Sequence, residues 1–230
     1  MTEIFNYYGR RHGRPLRQHR SALMATLLPH VSFERPAPGS RLDPATLFPL
    51  ALHEVWLEVG FGGGEHLAGQ AAAHPAVGII GCEPFVNGVA GLLGHIERDT
   101  LTDRVRILAD DARFLLDALP EASIGRAFVL FADPWPKTRH RERRFIGPAN
   151  LERLARVLKD GAELRLASDD PGLVTWMLDH TWHHPAFDWT ARSAEDWRQR
   201  PEDWPPTRYE QKAILAGRSP VFLRFIRRAR

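Results

Sequence analysis

The feature that most constrains the fold is an alternation of short apolar runs with helical patterns from residue 54 onward. Strands that are separated by helices predict βαβ units, which build a parallel sheet covered by helices on both faces. We therefore predict an α/β fold with a doubly wound, mostly parallel sheet. The predicted strands are 54–59, 77–82, 105–109, 126–132 and 162–167, and the predicted helices lie near 64–74, 86–98, 112–119, 149–159 and 172–183.

Both ends of the chain differ from this repeating core. An apolar run at 221–226 predicts a last strand that is antiparallel to the others. Residues 1–20 are rich in arginine and lack periodicity, which predicts a flexible basic arm. Five prolines between 29 and 49 predict a linker that wraps onto the domain. We thus divide the chain into a basic N-terminal arm and proline-rich linker, 1–50, and an α/β domain, 51–230.

Composition excludes several classes of protein. Cys82 is the single cysteine, so neither an intrachain disulfide nor a cysteine-based zinc site can form, and the histidine spacing suggests no metal site. The chain has no apolar run long enough for a membrane span and no secretory signal. We expect a cytoplasmic protein with no membrane and no metal. The net charge of +3 is mild, but arginines cluster at the N-terminus, at 139–144 and at the C-terminus, which favours phosphate partners.

The carboxyl end of every predicted parallel strand carries an acidic residue. Ligands of doubly wound sheets bind at the carboxyl ends of the strands, so these acids are candidate site residues. Because random placement would rarely produce this pattern, it outweighs any single motif. The acids are Glu58, Glu83, Asp110 with Asp111, Asp133, and Asp169 with Asp170.

The glycine-rich segment 60–64 predicts a tight turn that lets backbone approach a ligand. Glu58 precedes it and would repel a pyrophosphate, but it would attract the cationic end of S-adenosylmethionine. Glu83 follows Gly60 by 23 residues, where a carboxylate can bind ribose hydroxyls. Asp111 or Asp110 would accept from the adenine amine, and the other would cap a helix. The alternatives are a turn that serves only packing and a Glu83 that serves only a turn.

The segment Asp133-Pro134-Trp135-Pro136-Lys137 is the candidate reacting end. Proline stiffens the backbone beside Asp133, so we expect the chain to leave the strand extended. The Asp133 carboxylate can accept from N1–H and N2–H₂ of guanine, and Trp135 can stack on a base. Guanine N7 has a free lone pair, so Asp133 is predicted to position the base, with a general base as the alternative. Phosphate would contact Lys137, Arg139, Arg141, Arg143 and Arg144, unless this run is only a solvated loop.

Thr207-Arg208-Tyr209-Glu210 precedes a helical stretch near the C-terminus. Threonine followed three residues later by glutamate is a capping box, and a capped N-terminus can offer donors to a ligand. The tryptophan- and proline-containing segment before it predicts a loop that folds over the pocket.

These motifs resemble those of the bacterial tRNA (guanine-N7-)-methyltransferases, which modify a guanine in the variable loop (position 46) of tRNA. The resemblance rests on the turn around Gly60 and Gly62, on the DPW-x-K run and, at the N-terminus, on Gly9-Arg10-Arg11. It implies a Rossmann-like class I methyltransferase domain with S-adenosylmethionine as cofactor. By that likeness Asp133 is responsible for activity, and the cofactor contacts are Glu58, Glu83, Asp111 and Asp133.

The resemblance also implies that tRNA contacts Lys137, Asp169 and the segment Thr207-Arg208-Tyr209-Glu210. The chain departs from the family pattern at Ala132, where proline is frequent, at Arg208-Tyr209 in place of Lys-Phe, and at Asp170-Pro171. The rival interpretations are a methyltransferase for an exocyclic amine of RNA and a noncatalytic RNA-binding subunit with the same fold. We expect a monomer or a homodimer.

Overall fold

The structure, a computed structural model, describes residues 8–230, so the first part of the predicted arm, 1–7, lies outside the described residues. Its sheet has seven strands in the order β3-β2-β1-β4-β5-β7-β6. Strands β1 to β5 are parallel, and β7 lies antiparallel between β5 and β6. The strands are β1 Glu54–Val59, β2 Val77–Cys82, β3 Val105–Leu108, β4 Ile124–Leu130, β5 Leu158–Ser168, β6 Phe187–Trp189 and β7 Val221–Arg227.

Two layers of helices cover the sheet, and each layer has its own apolar core. Side chains alternate along a strand, so Leu57 packs into one core while its neighbour Trp56 packs into the other. One core contains residues of α1, α2, α3 and α4, and the other contains residues of α5, α6 and α7. The helices are α1 Gln18–Thr26, α2 Leu28–Val31, α3 Glu65–Ala73, α4 Val86–Asp99, α5 Ala112–Ala118, α6 Pro148–Val157, α7 Pro171–Trp182, α8 Glu195–Arg198 and α9 Arg208–Leu215.

The predicted fold class is confirmed, with differences at individual elements. Strand β4 begins and ends two residues before its predicted range, and β5 begins at Leu158, four residues before its predicted start. The register between β4 and β5 shifts between Ile124 and Arg126, so an irregular stretch of pairing precedes the regular apolar run. The sequence prediction missed β6, which has three residues and pairs only with β7. A run of three residues is too short to show period-two alternation.

The strand order places a crevice between β1 and β4. The chain progresses from β1 to β2 and β3 on one side and from β4 to β5 on the other, so the order reverses between β1 and β4. Loops diverge at such a switch point and leave space at the carboxyl ends of the strands. The segment 8–17 lies near this edge and has no regular secondary structure.

Three hydrogen bonds, one between backbone groups and two through the Asn87 side chain, attach the segment 8–17 to the start of α4. The N–H of Val86 donates to the carbonyl of Arg11 at 2.9 Å, the N–H of Gly13 donates to Asn87 Oδ1 at 2.8 Å, and Asn87 Nδ2 donates to the carbonyl of Arg14 at 2.7 Å. Residues 18–20, which were predicted as part of the flexible arm, form the first turn of α1. The division at residue 50 stays a prediction.

Candidate active site

A cavity of about 540 Å³ opens at the carboxyl edge of the sheet, at the switch point. Backbone and side chains that follow β1, β2, β3 and β4 line it, and they include Gly60, Glu83, Asp111 and Asp133. The structure thus brings together three of the acids that were singled out after the predicted strands. A volume of this size is typical of small-molecule sites, which range from about 300 to 1,000 Å³.

The glycine turn forms the floor of the cavity. Gly60 has φ of +70° and Gly62 has φ of +56°, which is the left-handed region that glycine occupies without a steric penalty. A Cβ atom on Gly62 would lie 2.6 Å from the Tyr209 ring, so the turn and α9 pack as closely as glycine allows. A Cβ on Gly60 would meet no described atom within 4 Å, so at that point the backbone faces open space.

Glu83 is held rigidly at the end of β2. Its Oε2 accepts from the N–H of Gly62 at 2.9 Å, and its Oε1 accepts from the N–H of Phe85 at 2.9 Å. Burial raises the pKa of the Glu83 carboxyl above its ordinary value, and the Asp133 carboxylate raises it further, although the two backbone N–H groups act in the opposite direction. Glu83 and Asp133 both line the cavity, so a ligand bound there lies near two carboxylates.

The structure distinguishes Asp111 from Asp110. Asp111 lines the cavity, caps α5 by accepting from the N–H of Arg113 at 2.9 Å, and pairs with the Arg113 guanidinium at 2.6 Å. Asp110 lies outside the lining and forms ion pairs with Arg11 at 3.5 Å and Arg35 at 3.7 Å. Asp111 is therefore the one placed to meet a ligand, as the family resemblance implied. Its contact with a cofactor stays a prediction.

The loop after β4 holds Asp133 between two strained residues. Phe131 has φ of +53° and Trp135 has φ of +41°, and such values cost a bulky side chain about 1–3 kcal/mol. The chain therefore turns at Phe131, whose N–H donates to the carbonyl of Ala167 at 2.7 Å, and does not leave the strand extended as predicted. The Asp133 side chain is exposed at the cavity mouth.

Arg144 is hydrogen-bonded to this loop. Its side chain is buried, and its guanidinium donates to the carbonyls of Pro134 at 2.8 Å and Gly172 at 3.2 Å. It was predicted to contact phosphate, but in the structure these carbonyls occupy it. Burial, the largest influence, lowers the pKa of Arg144, and the charge of Arg141 lowers it further.

Glu58 lies beneath the glycine turn and not in the lining of the cavity. It was predicted to contact the cofactor, but its carboxylate is 3% exposed and accepts from Nδ1 of His66 at 2.7 Å. The reason is strand alternation, which puts Glu58 on the same face of β1 as Trp56, toward α3. His66 has no counterpart among the predicted site residues. The spacing between Glu58 and His66 across the turn is the signal that could have indicated this pair.

The predicted RNA-binding residues of the basic loop differ in placement. Lys137, Arg139 and Arg141 are exposed on and beside a 3-10 turn, Thr138–Arg143, at the side of the cavity. Arg143 lines the cavity. Asp169 lies outside the lining and accepts from the Arg218 guanidinium at 2.5 Å.

Half of the capping box predicted at the start of α9 is present, because Thr207 caps the helix while the Glu210 carboxylate binds an arginine. Thr207 Oγ1 accepts from the N–H of Glu210 at 3.1 Å, and the Glu210 carboxylate accepts from Arg200 at 3.0 Å. Arg208 forms an ion pair with Glu65 at 3.4 Å, so it reaches over the start of α3. Of the four residues 207–210, only Tyr209 lines the cavity. Burial raises the pKa of the Tyr209 phenol, so this side chain is a neutral wall.

The start of the described chain forms another wall of the cavity. Tyr8, Gly9 and Arg10 belong to its lining. The sequence prediction assigned this segment to a flexible arm without a place in the site. Within residues 8–230, no helix has the length and apolarity needed to cross a bilayer, and no group of three or more potential metal-ligating side chains occurs.

Comparisons with known proteins give close relatives in sequence and more distant ones in structure. A family model described as "Putative methyltransferase" matches residues 53–223. The tRNA (guanine-N(7)-)-methyltransferase of Rhodospirillum rubrum is 53% identical over 100% of this chain and 90% of its own length. The protein of the same name from Paramagnetospirillum magneticum is 54% identical over 97% of this chain and 93% of its own length.

Solved structures with the same fold are far less similar in sequence. The 16S rRNA methyltransferase KamB has a TM-score of 0.57 at 15% identity and covers 77% of this chain and 89% of its own. An S-adenosylmethionine-dependent O-methyltransferase of Thermotoga maritima has a TM-score of 0.51 at 13% identity and covers 95% of this chain and 68% of its own. At these identities the likeness shows the fold, which is the Rossmann-like fold of these methyltransferases.

Proposed function

The chain belongs to the tRNA (guanine-N(7)-)-methyltransferase family, and from this premise we propose that it transfers a methyl group from S-adenosylmethionine to N7 of a guanine in tRNA. The observation that carries the proposal is the cavity at the switch point, which gathers the glycine turn, Glu83, Asp111 and Asp133. The names of the relatives supply the reaction and the substrate. The variable loop (position 46) as the target and the cytoplasm as the location are finer parts of the same proposal.

The residues of the cavity fit S-adenosylmethionine. The backbone at Gly60 is accessible to a ligand, because a Cβ there would have no neighbour within 4 Å. Both carboxylate oxygens of Glu83 accept from backbone N–H groups and keep lone pairs that can accept from ribose hydroxyls. Asp111 is placed to accept from the adenine amine. The carboxylates of Glu83 and Asp133 favour a cation between them. When bound, this cofactor supplies an electrophilic methyl group on a sulfonium.

Asp133 acts by positioning in this proposal. N7 of guanine carries an in-plane lone pair, so no proton has to be removed before it attacks. A carboxylate at the cavity mouth can accept from N1–H and N2–H₂ together, which fixes the base in its plane. Correct orientation of two reactants supplies up to about 7–11 kcal/mol of a barrier. Asp133 and Glu83 also stabilise the positive charge that accumulates on the purine.

The exposed cations beside the cavity account for RNA binding in this proposal. Arg10 is exposed and lines the cavity, and Lys137, Arg139 and Arg141 are exposed on and beside the 3-10 turn of the neighbouring loop. Their charges suit the phosphates on both sides of a base that has turned into the site. The monomeric or homodimeric state stays a prediction.

The test is transfer of labelled methyl from S-adenosylmethionine to unmodified tRNA, with the product nucleoside identified by mass spectrometry. We expect 7-methylguanosine and strand cleavage, specific to this nucleoside, in the variable loop. Asp133→Asn should lower kcat at least 100-fold with unchanged thermal stability, while the matched Asp188→Asn at the remote strand β6 should keep wild-type activity. Label in an amine-methylated nucleoside would replace the proposal by the exocyclic-amine reaction. A protein that binds tRNA but transfers no labelled methyl group to it would be a noncatalytic subunit.

A further inference from the structure

Three side chains from two distant parts of the chain meet in the lining of the cavity. Tyr8 comes from the N-terminal segment, and Trp135 and Arg143 come from the loop after β4. The rings of Tyr8 and Trp135 are 6.3 Å apart at 75° to each other. The Arg143 guanidinium carbon lies 4.2 Å from the centroid of the Tyr8 ring and 5.1 Å from that of Trp135. All three line the same cavity as Asp133.

The Arg143 guanidinium contacts the two aromatic rings in the way that a bound cationic ligand would. Its Nε atom is buried and has no hydrogen-bond partner among the described residues. The guanidinium thus lies on the rings as a flat cation, which the negative faces of aromatic rings attract. Tyr8 itself is 47% exposed, so its ring is not part of the apolar core. Two exposed or half-buried rings in the cavity lining contribute little to packing of the apolar core, so their faces are available to stack on a ligand.

The base in the product of the proposed reaction is planar and positively charged, as this guanidinium is. Methylation of N7 gives the imidazole ring of guanine a positive charge while the base stays planar. A flat cation stacks on aromatic rings more strongly than a flat neutral group does. Charge that develops on the base during the reaction is therefore favoured by the same surface.

We propose that Tyr8 and Trp135 form the stacking site for the target guanine and that the Arg143 guanidinium occupies this site when RNA is absent. The proposal rests on the proposed function, since it takes guanine as the base. On binding, the base displaces the guanidinium, and Arg143 becomes available to a phosphate. The N-terminal segment contributes a base-binding residue, and the surface binds the methylated base better than the unmodified one.

The experiment measures binding of 7-methylguanosine monophosphate and of guanosine monophosphate to the full-length protein by equilibrium dialysis, with S-adenosylhomocysteine present at a fixed concentration. We expect the wild type to bind the methylated nucleotide about fivefold more tightly, as a partly exposed cation–π contact would give. Tyr8→Phe keeps the ring and should keep this preference. Tyr8→Leu should remove it.

Arg143→Gln tests the occupancy of the site. Glutamine removes the resident cation. The nucleoside 7-methylguanosine, which has no phosphate for Arg143 to contact, should therefore bind at least threefold more tightly than to the wild type. The matched control is Trp182→Leu, which removes an aromatic ring that is 58% exposed at the end of α7, and it should change neither affinity. Equal affinities of the wild type for both nucleotides, or a preference that survives Tyr8→Leu, would overturn the stacking site. Weaker or unchanged binding to Arg143→Gln would overturn the displacement.

This outcome can be separated from failure of the proposed function. In the transfer assay Tyr8→Leu should raise KM for tRNA about tenfold, which is within the range for loss of one base–aromatic stack, and Tyr8→Phe should restore it. A wild type that forms no 7-methylguanosine would refute the function. A wild type that forms it, with an unchanged KM in Tyr8→Leu, would refute only the role of Tyr8.

Discussion

Glu83→Gln is the substitution that tests most directly how the cavity holds its ligand. Each oxygen of the Glu83 carboxylate accepts one backbone N–H at 2.9 Å. Glutamine keeps one acceptor and turns an amide donor toward the other N–H, so a hydrogen bond to a charged group is lost. Such a bond is worth about 1.5–3 kcal/mol. A ribose hydroxyl loses its charged acceptor in the same way, so we expect the Kd of S-adenosylmethionine to rise about 10- to 100-fold.

The raised pKa of Glu83 gives this prediction a second, independent part. The ionised carboxylate is the form that accepts from hydroxyls and attracts a sulfonium. Above the pKa of the free protein the Kd is flat, and below it the Kd rises as protonation removes the binding form. Because burial raises this pKa, the rise begins closer to neutral pH than for an ordinary glutamate. Isothermal titration calorimetry from about pH 8 to about pH 5 measures it.

Two results would refute this reasoning. One is a wild-type affinity that stays flat until the pH at which an exposed glutamate titrates. The other is a Glu83→Gln protein that keeps the pH profile of the wild type. Glu97→Gln is the matched control, because it makes the same chemical change at the far end of α4, where the Glu97 carboxylate lies 2.9 Å from Nε2 of His19. Its affinity and its pH profile should equal those of the wild type.

Three further predictions follow from single contacts. Gly62→Ala should lower Tm and weaken cofactor binding at least tenfold, because φ of +56° and the Tyr209 ring both oppose a Cβ atom. A variant with the Tm and the cofactor Kd of the wild type, both measured by calorimetry, would contradict this. Cys82 should resist iodoacetamide at about pH 8 until the protein unfolds, because burial raises the pKa of its thiol; rapid labelling of the native protein would contradict it. Arg141→Ala should reduce the salt dependence of tRNA binding by about one phosphate contact, as measured by filter-binding titration. Arg144→Ala should instead lower kcat, because it removes the hydrogen bond that holds the Asp133 loop. The opposite result for the two variants would exchange their roles.

The sequence was sufficient for the parallel part of the sheet because each strand is a distinct apolar run that ends at an acid. Strand ends of one sheet edge lie together, so Glu83, Asp111 and Asp133 could be assigned to one site before any coordinates. Glu58 lies outside the cavity lining because its position in a strand, and not its position before the glycines, decides which way its side chain points. The alternation of β1 already contained that information.

Other parts of the site have no sequence pattern that could have located them. The segment with Tyr8 is aperiodic, and carbonyl and amide groups attach it to α4, so neither hydropathy nor spacing marks its position. Arg144 and Arg141 look alike within one basic run, yet one is buried against carbonyls and the other is exposed. Burial of a single arginine depends on the strained loop beside it, which is a tertiary effect.

The strain around Asp133 also affects how this protein can be engineered. Phe131 and Trp135 both hold backbone angles that a glycine or asparagine would adopt at lower cost. A screen for heat resistance alone would therefore favour replacements at these two positions, and it would reward a loop that has relaxed. Improved robustness and loss of turnover should then arise together from the same substitutions.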